Sequence, residues 1–594
     1  MTKAYRSAGS ARHGVLHFVV PVASASLVHW SWFRAARALA ICAGPSILVP
    51  AGAAWLPPLD SRLEEPRALR PPGVPEDEVL ERSGAVIGAV RFHRINVFDP
   101  AIEAEDTALF RLANTIHIVT RESTVVSQLL FRPGDRYDAK LVKETERVLR
   151  SNDYLRDARI VPVAYHDGTV DLEVTTEDTW TLKPEIKFGR SGGKNTSGIG
   201  IEERNIFGTG GHLALKATSD VDRTSRFIEY GDSSFAGTRW QVGALVASNS
   251  DGHAQVLDVA RPFYSLDTRW AAGVRLRNEQ RIDSVYDFGS IVEQFQTNER
   301  EATASAGWSA GKVDGWTTRW TSGVTFDERR SGSLMSDNPG AVLPPDRRLL
   351  YPWVGAELIE DDFRLTRNHD QIGRTEDVRF GWYARIRLGA STKALGSDRN
   401  ALVFDGSASK TLEPGPAQTL SWSAGATGRF GEHGLENTLF SVAARYYFRQ
   451  APWRTLFVAA GADRGVDLDV NKQLTLGGDN GLRGYPLRYR TGQGRWLLTV
   501  EERAFTDWFP FRLFTVGGAV FYDVGNTWGD NIVPAVPPPA SANHGALQDV
   551  GFGLRLGNSR SALGSVIHID LAFPINADPS ISKVQLLIEA KQRF

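Results

Sequence analysis

The chain has 594 residues, with 68 basic and 69 acidic side chains and a single cysteine, Cys42. That length exceeds one ordinary globular core, so several domains or one large barrel are expected. The near-zero net charge excludes nucleic acid as a principal ligand, and the lone cysteine excludes an internal disulfide.

Residues 1–54 read as a signal peptide. Arg34 and Arg37 precede an apolar run over 38–49, and the small residues Ala51, Gly52, Ala53 and Ala54 follow it. No other stretch approaches the roughly 18 apolar residues of a membrane helix, so any membrane crossing falls to strands. Residues 55–83, with "LPPLDSRLEEPRALRPPGVPEDEV", read as a proline-rich linker that cannot bury enough surface to fold alone.

Residues 84–178 read as a small α/β unit in the order strand, helix, helix, strand, strand. "AVIGAVRFHRINVF" is a strand, and "RESTVVSQLLF" is a short helix with Val125, Val126, Leu129 and Leu130 on one face. "RPGD" marks a turn. Asp138 caps a second helix whose apolar side carries Leu141, Val142, Thr145, Val148 and Leu149. Asp167-Gly168 is a hairpin signal between two strands. Two helices on one face of such a sheet leave an edge open to an extended peptide.

From 179 to 594 the pattern changes to period two, broken by Gly, Asp, Asn and Ser clusters. In "VRFGWYARIRLG", Phe380, Trp382, Ala384, Ile386 and Leu388 point one way and Arg379, Arg385 and Arg387 the other. "WAAGVRLR" sets Trp270, Val274 and Leu276 against Arg275 and Arg277, and "LFSVAARYYFR" sets Phe440, Val442 and Phe448 against Arg445 and Arg449. A soluble sandwich also alternates. One face rich in aromatics and another rich in arginine, kept up over so many segments, instead fits a membrane barrel with a wet lumen, and such a sheet must close. The expected fold is therefore mainly β. At about 20–26 residues per strand and connection, some 410 residues give about 16 to 20 strands, and a barrel of about 16 strands is taken as the expectation. The last segment, "VQLLIEAKQRF", alternates through Leu586 and Ile588 to a terminal Phe594.

One stretch needs its own explanation. "GGDNGLRGYPLRYR" (477–490) is too rich in glycine for a helix, and it places an arginine at the tip of a long loop. Asp523 alternates onto the face opposite Val520 and Tyr522, and Glu501 shares a parity with Thr499 and Arg503, so both carboxylates face the lumen. A loop folded into that lumen brings Arg483 to Asp523 and Glu501 as a charge-assisted cluster.

"LRGY" (482–485) resembles the loop motif of the BamA/TamA superfamily, whose members join POTRA domains to an outer-membrane barrel. "FYDVGNTW" (521–528) resembles its F-x-D-x-G strand, "VEERAF" (500–505) its E-x-R strand, and "NIFGTGG" (205–211) its early-barrel turn. The stretch from 129 to 160 is similar to a POTRA core. The resemblance spans roughly 84–594. It implies one POTRA domain over 84–178, lying in the periplasm, and a barrel over 179–594 in the outer membrane of a Gram-negative bacterium. It also implies a loop lock built from Arg483, Gly484, Tyr485, Asp523 and Glu501, and a seam between strands near 182–190 and 584–594, with Leu586, Ile588 and Phe594 as the terminal signal. The implied function is insertion or translocation of polypeptide: the POTRA edge captures client strands and the seam templates them. Outer-membrane lipid and accessory periplasmic proteins complete the expected partners, with no nucleic acid. The rival readings are a two-partner-secretion type of transporter and a passive porin or structural barrel.

No enzyme chemistry is expected. "GRSGG" (189–193) matches a nucleophile-elbow pattern but sits between barrel-type strands rather than in a strand-to-helix turn. The histidines lack ligand spacing, so no metal or other cofactor is expected.

Overall fold

A computed structural model describes residues 70–335, 343–367, 369–370, 375–510, 513–529, 545–558, 560, 566–575 and 577–591. The leader expected over 1–54, most of the 55–83 linker, and Phe594 lie outside the described residues.

The α/β unit contains α1 (Asp77–Arg82), β1 (Val86–Ile95), α2 (Ala108–Ile116), α3 (Glu122–Gln128), α4 (Ala139–Arg150), β2 (Leu155–His166) and β3 (Thr169–Asp178). Its sheet order is β1-β3-β2, with β1 parallel and β2 antiparallel to β3. Apolar side chains from both layers meet in one core that includes Leu80, Ile87, Val125, Val142, Leu149, Leu155, Val170 and Leu172. The Asp138 carboxylate accepts from Lys140 N and Leu141 N, so α4 starts on a satisfied cap. The β2–β3 turn places Asp167 and Gly168 at positive φ, as a two-residue hairpin turn requires. α1 falls inside the stretch read as linker, because a single buried residue, Leu80, gives no periodicity to detect. α2 has no counterpart in the sequence reading.

Three residues after β3 the barrel begins. Its strands are β4 (Leu182–Ser191), β5 (Lys194–Ile206), β6 (Gly211–Ser219), β7 (Thr224–Asp232), β8 (Gln241–Asn249) and β9 (Gly252–Arg261). Then follow β10 (Trp270–Asp287), β11 (Ser290–Val313), β12 (Trp316–Met335) and β13 (Arg347–Glu360). A small hairpin, β14 (Phe363–Arg367) and β15 (Thr375–Arg379), interrupts the wall before β16 (Tyr383–Ser391), β17 (Ala401–Leu412), β18 (Gln418–Gly431), β19 (Gly434–Ala451) and β20 (Arg454–Val466). A ribbon of β21 (Leu474–Leu476) and β22 (Arg490–Gly492) frames the long loop. The wall ends with β23 (Gly494–Phe505), β24 (Thr515–Trp528), β25 (Leu547–Gly557), β26 (Val566–Ile575) and β27 (Gln585–Lys591).

β4–β13, β16–β20 and β23–β27 form one closed barrel of 20 antiparallel strands, which corrects the expectation of about 16. The difference comes from the turns. Gly192-Gly193, Ser250-Asp251 and Phe288-Gly289 each close a hairpin in two residues, so the same length yields more strands. Phe380 is a second correction. The run from 378 to 389 is not one strand, because it breaks between β15 and β16; Phe380 is buried beneath the Arg364 guanidinium and does not face outward.

The barrel's outer face carries exposed apolar side chains, among them Ile186, Ile199, Val246, Val354 and Val520. Its bore carries buried charge, including Asp283, Arg319, Arg503, Asp523 and Arg555. This is the inverse of a water-soluble fold and matches a bilayer-spanning barrel. At the rim next to the α/β unit (the near rim), exposed tryptophans recur: Trp240, Trp270, Trp308, Trp382, Trp453 and Trp508. Such aromatics mark the level of a membrane interface.

Candidate functional site

The connection from β20 to β23 leaves the far rim and folds back into the bore. Asn480 braces its entry, donating from Nδ2 to Thr475 O at 2.7 Å and accepting from Gly477 N at 2.7 Å. Gly481 sits at φ +121°, where a Cβ would lie 2.1 Å from Leu497, so only glycine fits.

Arg483 is buried at the tip. Its Nε and Nη2 donate to the two oxygens of Asp523 at 2.7 and 3.0 Å, a bidentate pair. Its Nη1 donates to Glu501 at 2.8 Å and to Asp570 at 3.3 Å, and the guanidinium lies 3.3 Å from the Phe521 ring centroid. Around it, Thr499 donates to Asp523 at 2.7 Å, Arg503 donates to Glu501 at 3.0 Å, and Arg555 bonds Asp570. Three arginines thus meet the carboxylates of Glu501, Asp523 and Asp570, which keeps a buried ionic cluster close to balance. Gly484 donates its N–H to Asp549 at 3.0 Å, and a Cβ there would lie 2.7 Å from the Asp549 Cβ. The Tyr485 hydroxyl reaches the carbonyls of Gln548 and Ile575 at 3.1 and 3.2 Å.

Arg483, Gly484, Tyr485, Asp523 and Glu501 therefore share one site. Sequence reasoning missed Asp570, Asp549 and Arg555. The alternation of "VIHIDLAF" does place Asp570 on the inward parity, which is a usable signal. Leu586 faces outward on β27, and Ile588 makes the one registered pair of the barrel's closure among the described residues, with Arg190 of β4.

The loop also reaches across that closure. Ser191, at the end of β4, donates to Gly478 O at 2.6 Å. Arg488 donates to both oxygens of Asp222, in the β6–β7 turn, at 2.7 Å each. Burial pushes the Asp222 carboxyl up, but its hydrogen bonds and charge pairing with Arg488 more than offset this and hold it below the ordinary range. One loop thus grips β23–β26 on one side of the seam and β4–β7 on the other.

The near rim repeats the arrangement. Arg560, between β25 and β26, donates to Val97 O and Glu177 of the α/β unit at 3.0 Å each and pairs with Glu105; its carbonyl accepts from Trp180 N at 2.7 Å. Across the seam, Gly208 O of the β5–β6 turn accepts from Arg121 N and from Thr124 Oγ1, each at 2.9 Å. Asn205, at the end of β5, donates to Thr120 at 2.9 Å.

The β14–β15 hairpin enters the bore from the near side. Arg150 of α4 holds its Asp377 bidentately at 2.9 Å, and Arg147 stacks over Phe363 at 3.8 Å. At the other end, Tyr447 donates to Asp370 at 2.7 Å, and the His369 and Tyr447 rings lie 4.0 Å apart. His369, Asp370 and Glu376 bring ligand-type atoms within 4.8 Å of one another. Glu376 accepts from His369 N at 2.9 Å and from Asp370 N at 3.0 Å, so the cluster anchors the tip of the hairpin.

No family model and no curated protein sequence matches the chain. Among solved structures it is similar to CdiB from Escherichia coli, at 11% identity and TM-score 0.43, covering 86% of this chain and 76% of that one. It is similar also to CdiB from Acinetobacter baumannii, at 13% identity and TM-score 0.40, covering 84% and 74%. BamA from Haemophilus ducreyi lacking POTRA domains 1–3 matches at 12% identity and TM-score 0.36, covering 85% and 84%. The likeness is distant, and neither residue roles nor activity follow from it.

Proposed function

We propose that the protein lies in the outer membrane and inserts or translocates polypeptide, with the α/β unit acting as a periplasmic POTRA-type module and the β4–β27 seam as the opening. The observation that carries this reading is the closure: among the described residues it has one registered strand pair, Ile588 with Arg190, flanked by the loop at the far rim and the α/β unit at the near rim. Exposed strand edges are costly in lipid, so a seam with so short a pairing is primed to accept an incoming strand. A passive porin is disfavoured, because a loop and a hairpin both occupy the bore.

Capture would use the outer edge of β1. The outer edge of β2 is partly taken: Ile160 N donates to Glu146 at 2.7 Å, Ala158 O accepts from Arg150 at 2.8 Å, and Pro162 has no N–H. On β1, Ile87 already exchanges bonds with Asp135 and Gly134, which leaves the stretch near Arg91 and His93 for a client strand.

The test is a seam lock. Arg190→Cys with Ile588→Cys, in a Cys42→Ser background, should abolish assembly of a barrel client in proteoliposomes when oxidised and regain it on reduction. Full activity of the oxidised, crosslinked protein would exclude the seam. Secretion through the bore is the second reading. It predicts that the locked protein still transports.

A further inference from the structure

We propose that α2 lies in the near-side membrane interface and presents Leu109, Leu112 and Ile116, together with Ile118 and Phe207, to phospholipid. This rests on the reading that the barrel spans a bilayer.

α2 is capped by Thr107, whose hydroxyl accepts from Phe110 N at 3.3 Å, and it has two unlike faces. Phe110 and Ala113 turn inward: the Phe110 ring stacks on Phe98 at 4.0 Å, and this cluster packs on Trp180 and Leu513. Leu109, Leu112 and Ile116, at helical spacing, are 66%, 56% and 55% exposed. An apolar stripe open to water on a small domain calls for a covering partner.

Three observations identify that partner as lipid. First, the inner face of α2 is fixed to barrel-rim residues: Trp180 directly precedes β4 and Leu513 lies in the β23–β24 connection, where Trp508 is also exposed. The helix therefore sits at the level of the aromatic rim. Second, the stripe runs on into the barrel's outer wall. Ile118 lies three residues before Arg121, whose N–H bonds Gly208 O, and Phe207 beside it is 65% exposed at the foot of Ile199 and Ile201. Third, the flank of the stripe is polar: Arg111 is exposed there and paired with Asp106 at 2.6 Å, the charged side that an interfacial helix sets beside its apolar face.

The test uses the full chain with Cys42→Ser, reconstituted in phosphatidylethanolamine vesicles with phosphatidylglycerol as the minor component. A fluorophore is attached singly at Leu112→Cys, at Ile186→Cys on the barrel wall, or at Asp167→Cys in the β2–β3 turn. Lipid carrying a nitroxide near the headgroup should dim the Leu112 label by about twofold and leave iodide without effect, while the Asp167 label shows the reverse. A Leu112 label quenched by iodide, beside an Ile186 label quenched by lipid, overturns the proposal and leaves the barrel reading standing. An Ile186 label open to iodide overturns both. A Leu112 label that lipid never quenches, and that is shielded only after an unfolded polypeptide is added, assigns the face to clients and also overturns the proposal.

Discussion

The barrel wall at β10–β12 and the barrel closure at β27–β4 are made of the same antiparallel strands and are held in opposite ways. β10 pairs with β11 from Trp270 to Asp287 with one register shift, between Val285 and Tyr286, and β11 runs for 24 residues, far longer than a bilayer requires. At the closure, among the described residues, one registered pair joins strands of 10 and 7 residues. Long backbone ladders secure the wall, whereas the seam combines a short strand pairing with backbone and side-chain contacts at the two rims. Ladder bonds break only together. A few rim contacts can be released one at a time, and that suits a place that opens.

The largest effect that would break this contrast is Arg483→Ala. It leaves Asp523, Glu501 and Asp570 buried with a missing cation and should cost on the order of 3–5 kcal/mol. The folded-barrel band in a semi-native gel should then unfold at a lower temperature. The charge swap Arg483→Asp with Asp523→Arg should not rescue it, because the new aspartate would face Glu501 and Asp570. Next comes Arg560→Ala, which removes the near-rim clamp and should cost about 2–3 kcal/mol. Its readout is a faster Arg190→Cys to Ile588→Cys exchange with thiol reagents and unchanged protection across β10–β11.

Arg488→Ala is smaller, about 1.5 kcal/mol, because Asp222 keeps the hydrogen bond from the Tyr286 hydroxyl. It should raise the frequency of current openings in planar bilayers without lowering barrel heat resistance. The smallest effect is a pH dependence at Glu144, which accepts from Leu266 N at the joint between α4 and the barrel. Burial raises its carboxyl above the ordinary 4.5, with the Leu266 N–H and Arg147 offsetting part of the rise. A raised carboxylate means that stability is full below about pH 4.5 and declines as pH climbs through the folded value. Glu144→Gln should therefore melt level with the parent at low pH and above it at neutral pH, by differential scanning fluorimetry.

Much of the site was legible in the sequence because a barrel strand encodes direction in parity. Asp523 and Glu501 could be assigned to the bore from their neighbours alone, and the glycines around Arg483 marked a backbone that had to thread a crowded space. The strand count was not legible, since a two-residue turn and a longer loop differ little in composition. Arg560 and the Arg488–Asp222 pair were hidden for another reason. They lie in connections without a period, and their partners are hundreds of residues away. α2 was legible: Leu109, Leu112, Ala113 and Ile116 repeat at helical spacing and Thr107 supplies a cap.

The passage from β3 into β4 has a mechanical consequence. Only Thr179, Trp180 and Thr181 separate the two strands; both threonines are buried, and Thr179 donates its hydroxyl to Asp153 O at 2.8 Å. So short and well-tied a joint leaves no room for a hinge. The small domain is therefore coupled rigidly to the first strand: swinging β4 away from β27 means turning the whole domain, so on the proposed function a polypeptide pulling on that domain would apply torque directly to the seam.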